Sequence, residues 1–107
     1  MPQVAVVIPA YNEADRVGAT VTAARALPGV DLVVVVDDGS RDATAGVARA
    51  AGARALRYAR NHGKAMAMMV GAREVAELDR RRPADGPRHL LFLDAVFTIA
   101  DSPASNN

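Results

Sequence analysis

Four stretches of this chain set polar, chemistry-bearing residues directly behind or beside apolar runs. VAVVIPAYNE puts Pro9, Tyr11, Asn12 and Glu13 after Val4 to Ile8, and LVVVVDDGS puts Asp37, Asp38, Gly39 and Ser40 after Leu32 to Val36. RNHGKAMA carries His62 and Lys64, and LLFLDA ends in Asp94 and Ala95. If the apolar runs are parallel strands, their carboxyl ends share one rim, where open α/β sheets bind ligands. The adjacent carboxylates Asp37 and Asp38 could be isolated charges, helix caps or acceptors for a nucleoside. Asp37 is expected to bond neighbouring backbone, while Asn12 either caps a helix or faces the ligand. His62 and His89 lack metal-ligand spacing and read as plain loop residues.

The elements that must position these residues follow from periodicity. Val4 to Ile8 is a β-branched run stopped by Pro9, as in a strand buried on both faces. Asn12 with Asp15 makes an imperfect capping box for a helix whose apolar face is Ala14, Val17, Val21 and Ala24, and Pro28-Gly29 ends it. Leu32 to Val36 is the second buried strand. Ser40 or Asp42 caps a second helix with Ala43, Val47 and Ala50 on its face and Gly52 at its stop. Ala53 to Tyr58 is a weaker third strand. Lys64 to Leu78 is a third helix with Ala65, Met68, Ala72 and Val75 inward, and its methionines at 66, 68 and 69 read as core filler. Asp79 to His89 is a loop, with the Arg80-Arg81-Arg82 run solvated, and Leu90 to Leu93 is the fourth strand. This β-α-β-α-β-α-β order implies an α/β, three-layer Rossmann-like parallel sheet over residues 1–95. With strand 1 between strands 2 and 4, a crevice opens over residues 9–13, 37–40 and 94–96. Residues 96–107, VFTIADSPASNN, are expected to be a frayed or disordered tail.

Composition narrows the possible partners. Thirteen basic and twelve acidic residues leave a formal charge of +1, which gives no electrostatic case for nucleic acid or an anionic membrane. There are no cysteines, so disulfide and thiolate chemistry are excluded and a reducing compartment fits. The apolar runs, such as Leu32 to Val36, are far short of the roughly 20 residues of a membrane span. The chain reads as cytoplasmic.

Two phosphate-loop patterns fail. PAYNEAD after strand 1 lacks the glycines of G-x-G-x-x-G, and Gly63-Lys64 lacks the upstream glycine and following hydroxyl of a P-loop, with Tyr58 and Ala65 there instead. A receiver-like domain is a remote alternative, because its acidic pair ends the first strand and here a strand and helix precede it.

Taken in order, VAVVIPAYNE, VVVVDDGSRDAT, RNHGKAMAMMVG and LLFLDA resemble the family 2 glycosyltransferases of the GT-A type. The likeness runs from Val4 to Ala95 and is nearest to enzymes resembling dolichyl-phosphate mannosyltransferases and glucosyl-3-phosphoglycerate synthases. It implies the N-terminal, nucleotide-binding half of a GT-A fold, of the class that transfers a hexose from a UDP- or GDP-linked sugar to an acceptor. By the same resemblance Pro9, Tyr11 and Glu13 surround the nucleoside, with Tyr11 against the base and Glu13 near the ribose. Val36 and Asp38 contact the base, and Lys64 sits near the diphosphate. Asp94 and Ala95 begin the family's D-x-D, which holds ribose and a divalent metal, Mg²⁺ or Mn²⁺.

Position 96, where the second aspartate of D-x-D falls, is Val96. Valine offers no oxygen, so Asp94 is left as a poor site for a hard cation, and Asp101 is too far along to replace the missing ligand. The likeness stops before the acceptor half, which carries the family's catalytic base. A truncated or frame-shifted copy has this form, and weak or absent transfer is expected of it. The alternative is a non-catalytic nucleotide-binding or interaction module. An uncovered sheet edge at strand 4 would favour self-association.

Overall fold

In the computed structural model, residues 3–95 are described. The expectation of a frayed tail, and the chemistry of position 96, lie outside them. The elements run β1 (Val4–Ala10), α1 (Val17–Arg25), β2 (Val30–Asp37), α2 (Thr44–Ala50), β3 (Arg54–Arg57), α3 (Lys64–Arg80), a 3₁₀ turn (Pro83–Asp85) and β4 (His89–Phe92). The strands form one parallel sheet in the order β3-β2-β1-β4, so β1 lies between β2 and β4 as the crevice requires.

The two valine-rich runs are continuous because both faces of the sheet are covered. Val6, Ile8, Val33 and Val35 point to one side, into a core shared with Val17, Val21 and Ala24 of α1 and Ala48 of α2. Ala5, Val7, Val34 and Val36 point to the other, against Ala67 and Val75 of α3. The result is a three-layer α/β sandwich of Rossmann type. Among the described residues nothing pairs with the outer edge of β4, and Leu90, Leu91 and Phe92 are exposed.

Several local expectations are corrected. Strand β1 does not stop at Pro9 but continues to Ala10, because the Ala10 carbonyl still accepts the Asp38 N–H at 2.9 Å. Asn12 is not a helix cap: α1 starts five residues later at Val17, and no side chain caps it. Asp42 does accept the Thr44 N–H at 3.0 Å at the start of α2, but Ser40 is turned elsewhere. The buried face of α2 is Thr44, Ala45 and Ala48, with Ala43 and Ala50 exposed, since Thr44 is drawn inward by its hydroxyl's bonds. In the third crossover the region 79–89 is less loop-like than expected. Arg88 pairs with both Asp79 and Asp31, and Arg82 pairs with Asp31 and Asp85, so only Arg80 and Arg81 of the arginine run are solvated. For Arg88, burial lowers the pKa, but hydrogen bonds and charge from Asp31 and Asp79 outweigh it and the net shift is upward.

Helix α3 meets the sheet through Ala67, Gly71 and Val75 rather than through Ala65, Met68 and Ala72. Gly71 explains the rotation. A Cβ on it would lie 2.3 Å from Val7 Cγ1 and 3.2 Å from Val36 Cγ2, so the helix axis sits too close to β1 for larger side chains. Met66 and Met69 are therefore pushed to the flanks, 43% and 49% exposed, and are not core filler. Because overpacking a closed contact costs about 1–3 kcal/mol, Gly71→Ala should lower the unfolding free energy by that amount, seen as a lower urea midpoint, despite alanine's better helix propensity. An unchanged or raised midpoint would show that α3 can lift off the sheet without cost.

Candidate functional site

Strands β1, β2 and β4 end at the same side of the sheet, and the loops that follow them form a continuous rim. The turn after β1 contains several backbone N–H groups with no strand or helix partner, and the turn after β2 supplies acceptors for them. Ser40 Oγ accepts the Asn12 N–H at 2.8 Å, Thr44 Oγ1 accepts that of Glu13 at 3.0 Å, and Asp42 Oδ2 accepts that of Ala14 at 3.2 Å. In return Asn12 Oδ1 accepts the Arg41 N–H at 2.8 Å. Asn12 reaches this position in the left-handed region, at φ 52°, where asparagine is among the better-tolerated residues. Asp42 also receives the Thr44 hydroxyl, the main reason its carboxyl is held below the usual aspartate range; its bonds from the Ala14 and Thr44 N–H groups help.

Asp37 and Asp38 divide their duties. Asp37, fully buried, accepts the Ser40 N–H at 2.9 Å and faces the Arg57 guanidinium at 3.4 Å, which is the expected backbone-bonding role. Asp38 uses both oxygens on the loop before α3: Oδ1 accepts the His62 N–H at 2.7 Å and Oδ2 that of Gly63 at 2.8 Å. Between them, Gly39 allows the two loops to touch. It has φ +80°, and a Cβ there would lie 2.4 Å from the Arg60 carbonyl carbon and 2.5 Å from the Asn61 nitrogen. Tyr58 completes the loop, its ring edge-on to His62 with centroids 5.2 Å apart. Burial and the Asp38 charge push the Tyr58 phenol upward.

A cleft of about 350 Å³ opens on this rim, lined by Pro9, Tyr11, Glu13, Asp38, Lys64 and Asp94, with Ala10, Asn61 and Gly63. Lys64 Nζ pairs directly with the Asp94 carboxylate across the cleft. Lys64 is also the first residue of α3, so that helix presents its positive end to the same space. Glu13 is steadied by Arg16 at 3.6 Å. Of the eight positions singled out by resemblance, six line the cleft, whereas Val36 and Ala95 are fully buried. Val36 lies in the core beneath α3, and the Ala95 carbonyl accepts the Thr20 hydroxyl at 3.2 Å. Sequence reasoning missed Asn61 and Gly63 as lining residues, although both stand in the RNHGK block from which only Lys64 was drawn. It also missed Ser40, Asp42 and Thr44 as partners of the first loop, because side chain-to-backbone bonds between distant loops leave no periodic signal.

Among the described residues no group of three His, Cys, Asp or Glu side chains is gathered so as to hold a metal ion. Asp94, the expected ligand, already shares its charge with Lys64.

Residues 5–95 match the model of glycosyl transferase family 2, and the chain belongs to that family. Its fold matches the crystal structure of mannosyl-3-phosphoglycerate synthase from Rubrobacter xylanophilus, at 32% identity and TM-score 0.63, covering 88% of this chain and 30% of that one. It also matches glucosyl-3-phosphoglycerate synthase from Mycobacterium tuberculosis in complex with Mn²⁺, UDP and glucosyl-3-phosphoglycerate, at 27% identity and TM-score 0.63, covering 88% and 33%. The same enzyme in complex with Mn²⁺, UDP-glucose and phosphoglyceric acid gives 28% identity, TM-score 0.63 and the same coverage. The chain thus spans about a third of the length of these structures. No curated protein sequence matches the chain. Among the described residues no helix is long and apolar enough to cross a membrane.

Two outcomes follow for the rim. Asp38→Asn replaces one acceptor oxygen with an NH₂ group facing a backbone N–H, so it should destabilise the chain by about 1–3 kcal/mol in chemical denaturation; an unaffected midpoint would mean the bonds to residues 62 and 63 are dispensable. Because the Asp42 carboxyl is lowered in the folded chain, the unfolded state binds more protons as the pH falls through the acid range. Its contribution is present above the ordinary aspartate pKa and is lost as pH drops through the depressed folded value. Asp42→Asn should flatten that part of the stability–pH curve, and an identical curve in the variant would remove Asp42 from the account.

Proposed function

We propose that this chain is the nucleotide-binding part of an enzyme that transfers a hexose from a UDP- or GDP-linked sugar to an acceptor. The observation that carries this reading is the convergence of Tyr11, Glu13, Asp38, Lys64 and Asp94 on one cleft at the carboxyl ends of parallel strands, beside a helix N-terminus. The UDP complexes of the similar M. tuberculosis enzyme support it.

In such a transfer the bond between the anomeric carbon and the diphosphate oxygen breaks, and the diphosphate leaves with the electron pair. The acceptor oxygen forms the new bond and gives its proton to a base. This chain's residues bind and orient the donor. Pro9 and Tyr11, the latter 44% exposed, offer a flat surface to the base, and Glu13 an acceptor for ribose hydroxyls. Asp38 accepts two backbone N–H groups, and each of its oxygens keeps a second lone pair for a base N–H. Lys64 and the positive end of α3 face the diphosphate, where its charge is greatest. Val36 and Ala95 act through the backbone they fix and not through exposed side chains.

The donor set does not fit a divalent cation. The similar M. tuberculosis structures contain Mn²⁺ or Mg²⁺, but here the Val96 side chain brings no oxygen to the position where a second aspartate would stand beside Asp94. This favours a second reading for the 107-residue polypeptide itself: a nucleotide binder with little or no transfer.

Calorimetric titration with UDP and GDP should therefore give nearly the same affinity with and without Mn²⁺. Val96→Asp should make Mn²⁺ tighten binding by about tenfold, or about 1.4 kcal/mol, without creating transfer. Strong metal dependence in the unaltered chain would mean that another ligand, such as Asp101, serves the metal; measurable hexose transfer by it would overturn the non-catalytic reading; and no binding of either nucleotide would remove the proposal itself.

A further inference from the structure

Beside the nucleotide cleft lies a second one, of about 520 Å³, which shares Tyr11 and Asn61 with it and is lined by Arg41, Arg57 and Arg60. We propose that this second cleft is an anion subsite that takes a phosphate-bearing group next to the bound nucleotide.

The arginines are brought together by the architecture of the rim. Arg57, at the end of β3, is held by the buried Asp37 at 3.4 Å and donates to the Ser40 carbonyl at 2.9 Å. Arg41 is fixed at its backbone by Asn12, as described above. Arg60 is carried to within touching distance of the β2–α2 turn by the close approach at Gly39, which no residue with a Cβ would allow. Among the described residues the guanidiniums of Arg41 and Arg60 make no hydrogen bond or ion pair, unlike those of Arg16, Arg54, Arg80, Arg82 and Arg88. Asp37 is buried beneath the cleft and already engaged, so the open face carries an excess of positive charge.

The number of arginines lining the cleft favours phosphate over carboxylate. A planar carboxylate is satisfied by one guanidinium fork, whereas a tetrahedral dianion can accept from several forks that approach from different directions. The cleft is separate from Lys64 and Asp94, which line only the neighbouring space. It is thus placed for a phosphate other than the diphosphate of the donor. The inference stands on the arginines alone; only the words "next to the bound nucleotide" rest on the proposed function.

The test is an NMR titration of the 107-residue chain with inorganic phosphate at constant ionic strength, with chloride as the control. Saturable shifts are expected at the amides of Gly39 to Arg41 and Ala59 to Asn61. The double variant Arg41→Gln/Arg60→Gln, which alters two exposed side chains, should weaken phosphate binding by about tenfold or more, in line with the strength of charge-assisted contacts. UDP binding, measured on the same sample, should persist in that variant and should leave the phosphate shifts additive. Shifts that do not saturate, that chloride reproduces, or that survive the double substitution would overturn the subsite. Loss of UDP and phosphate binding together, with UDP competing for phosphate, would show that the arginines hold the donor's own diphosphate and would equally overturn it. Phosphate binding without any UDP binding would leave the subsite standing and reject the nucleotide reading instead.

Discussion

The rim of this protein depends on one exchange of hydrogen bonds between loops that are about thirty residues apart in sequence. The N–H groups of Asn12, Glu13 and Ala14 point away from any strand or helix, and the side chains of Ser40, Thr44 and Asp42 accept them. Each bond of this kind contributes about 0.5–1.5 kcal/mol, so together they favour a first loop that follows the second. Asp38 extends the same device to a third loop through the His62 and Gly63 N–H groups. Three turns that would otherwise move independently become one wall.

What the wall encloses follows from where the strands end. Parallel pairing of β1 with β2 and β4 brings Tyr11, Asp38 and Asp94 to one level, and the approach of α3 permitted by Gly71 delivers Lys64 opposite Asp94. The cleft is therefore prepared before any ligand arrives, with an ammonium and a helix N-terminus for an anion and carboxylates for hydroxyl and N–H donors. Its membership of glycosyl transferase family 2 agrees with that inventory. Lys64 and Asp94 pair directly across that cleft.

Much of this was legible in the sequence, for a physical reason. Runs such as Val4–Ile8 and Leu32–Val36 have no other stable fate than strands covered on both faces, and polar residues placed straight after them must come out at the sheet's end. Helix faces were less legible. In α3 the alanines, glycine and methionines differ little in hydrophobicity, and the inward face was decided by closeness of approach at Gly71, a property of two elements together. Asn12 misled because an asparagine before an apolar run has the signature of a cap, while here its side chain is spent on the Arg41 N–H. Arg82 looked like a solvated charge, since the carboxylate it pairs with, Asp31, lies far back in the sequence, in β2.

The claim that the loops form a single wall in the free chain is tested most directly by native-state amide hydrogen exchange. The amides of Asn12, Glu13, His62 and Gly63, all outside regular hydrogen-bond ladders, should exchange as slowly as those in the middle of β1 and β2 and should be released together by Thr44→Ala or Asp38→Ala in their respective loops. Exchange of these four amides at the rate of open turns, with β1 and β2 still protected, would show that the rim is not held together and would contradict the account.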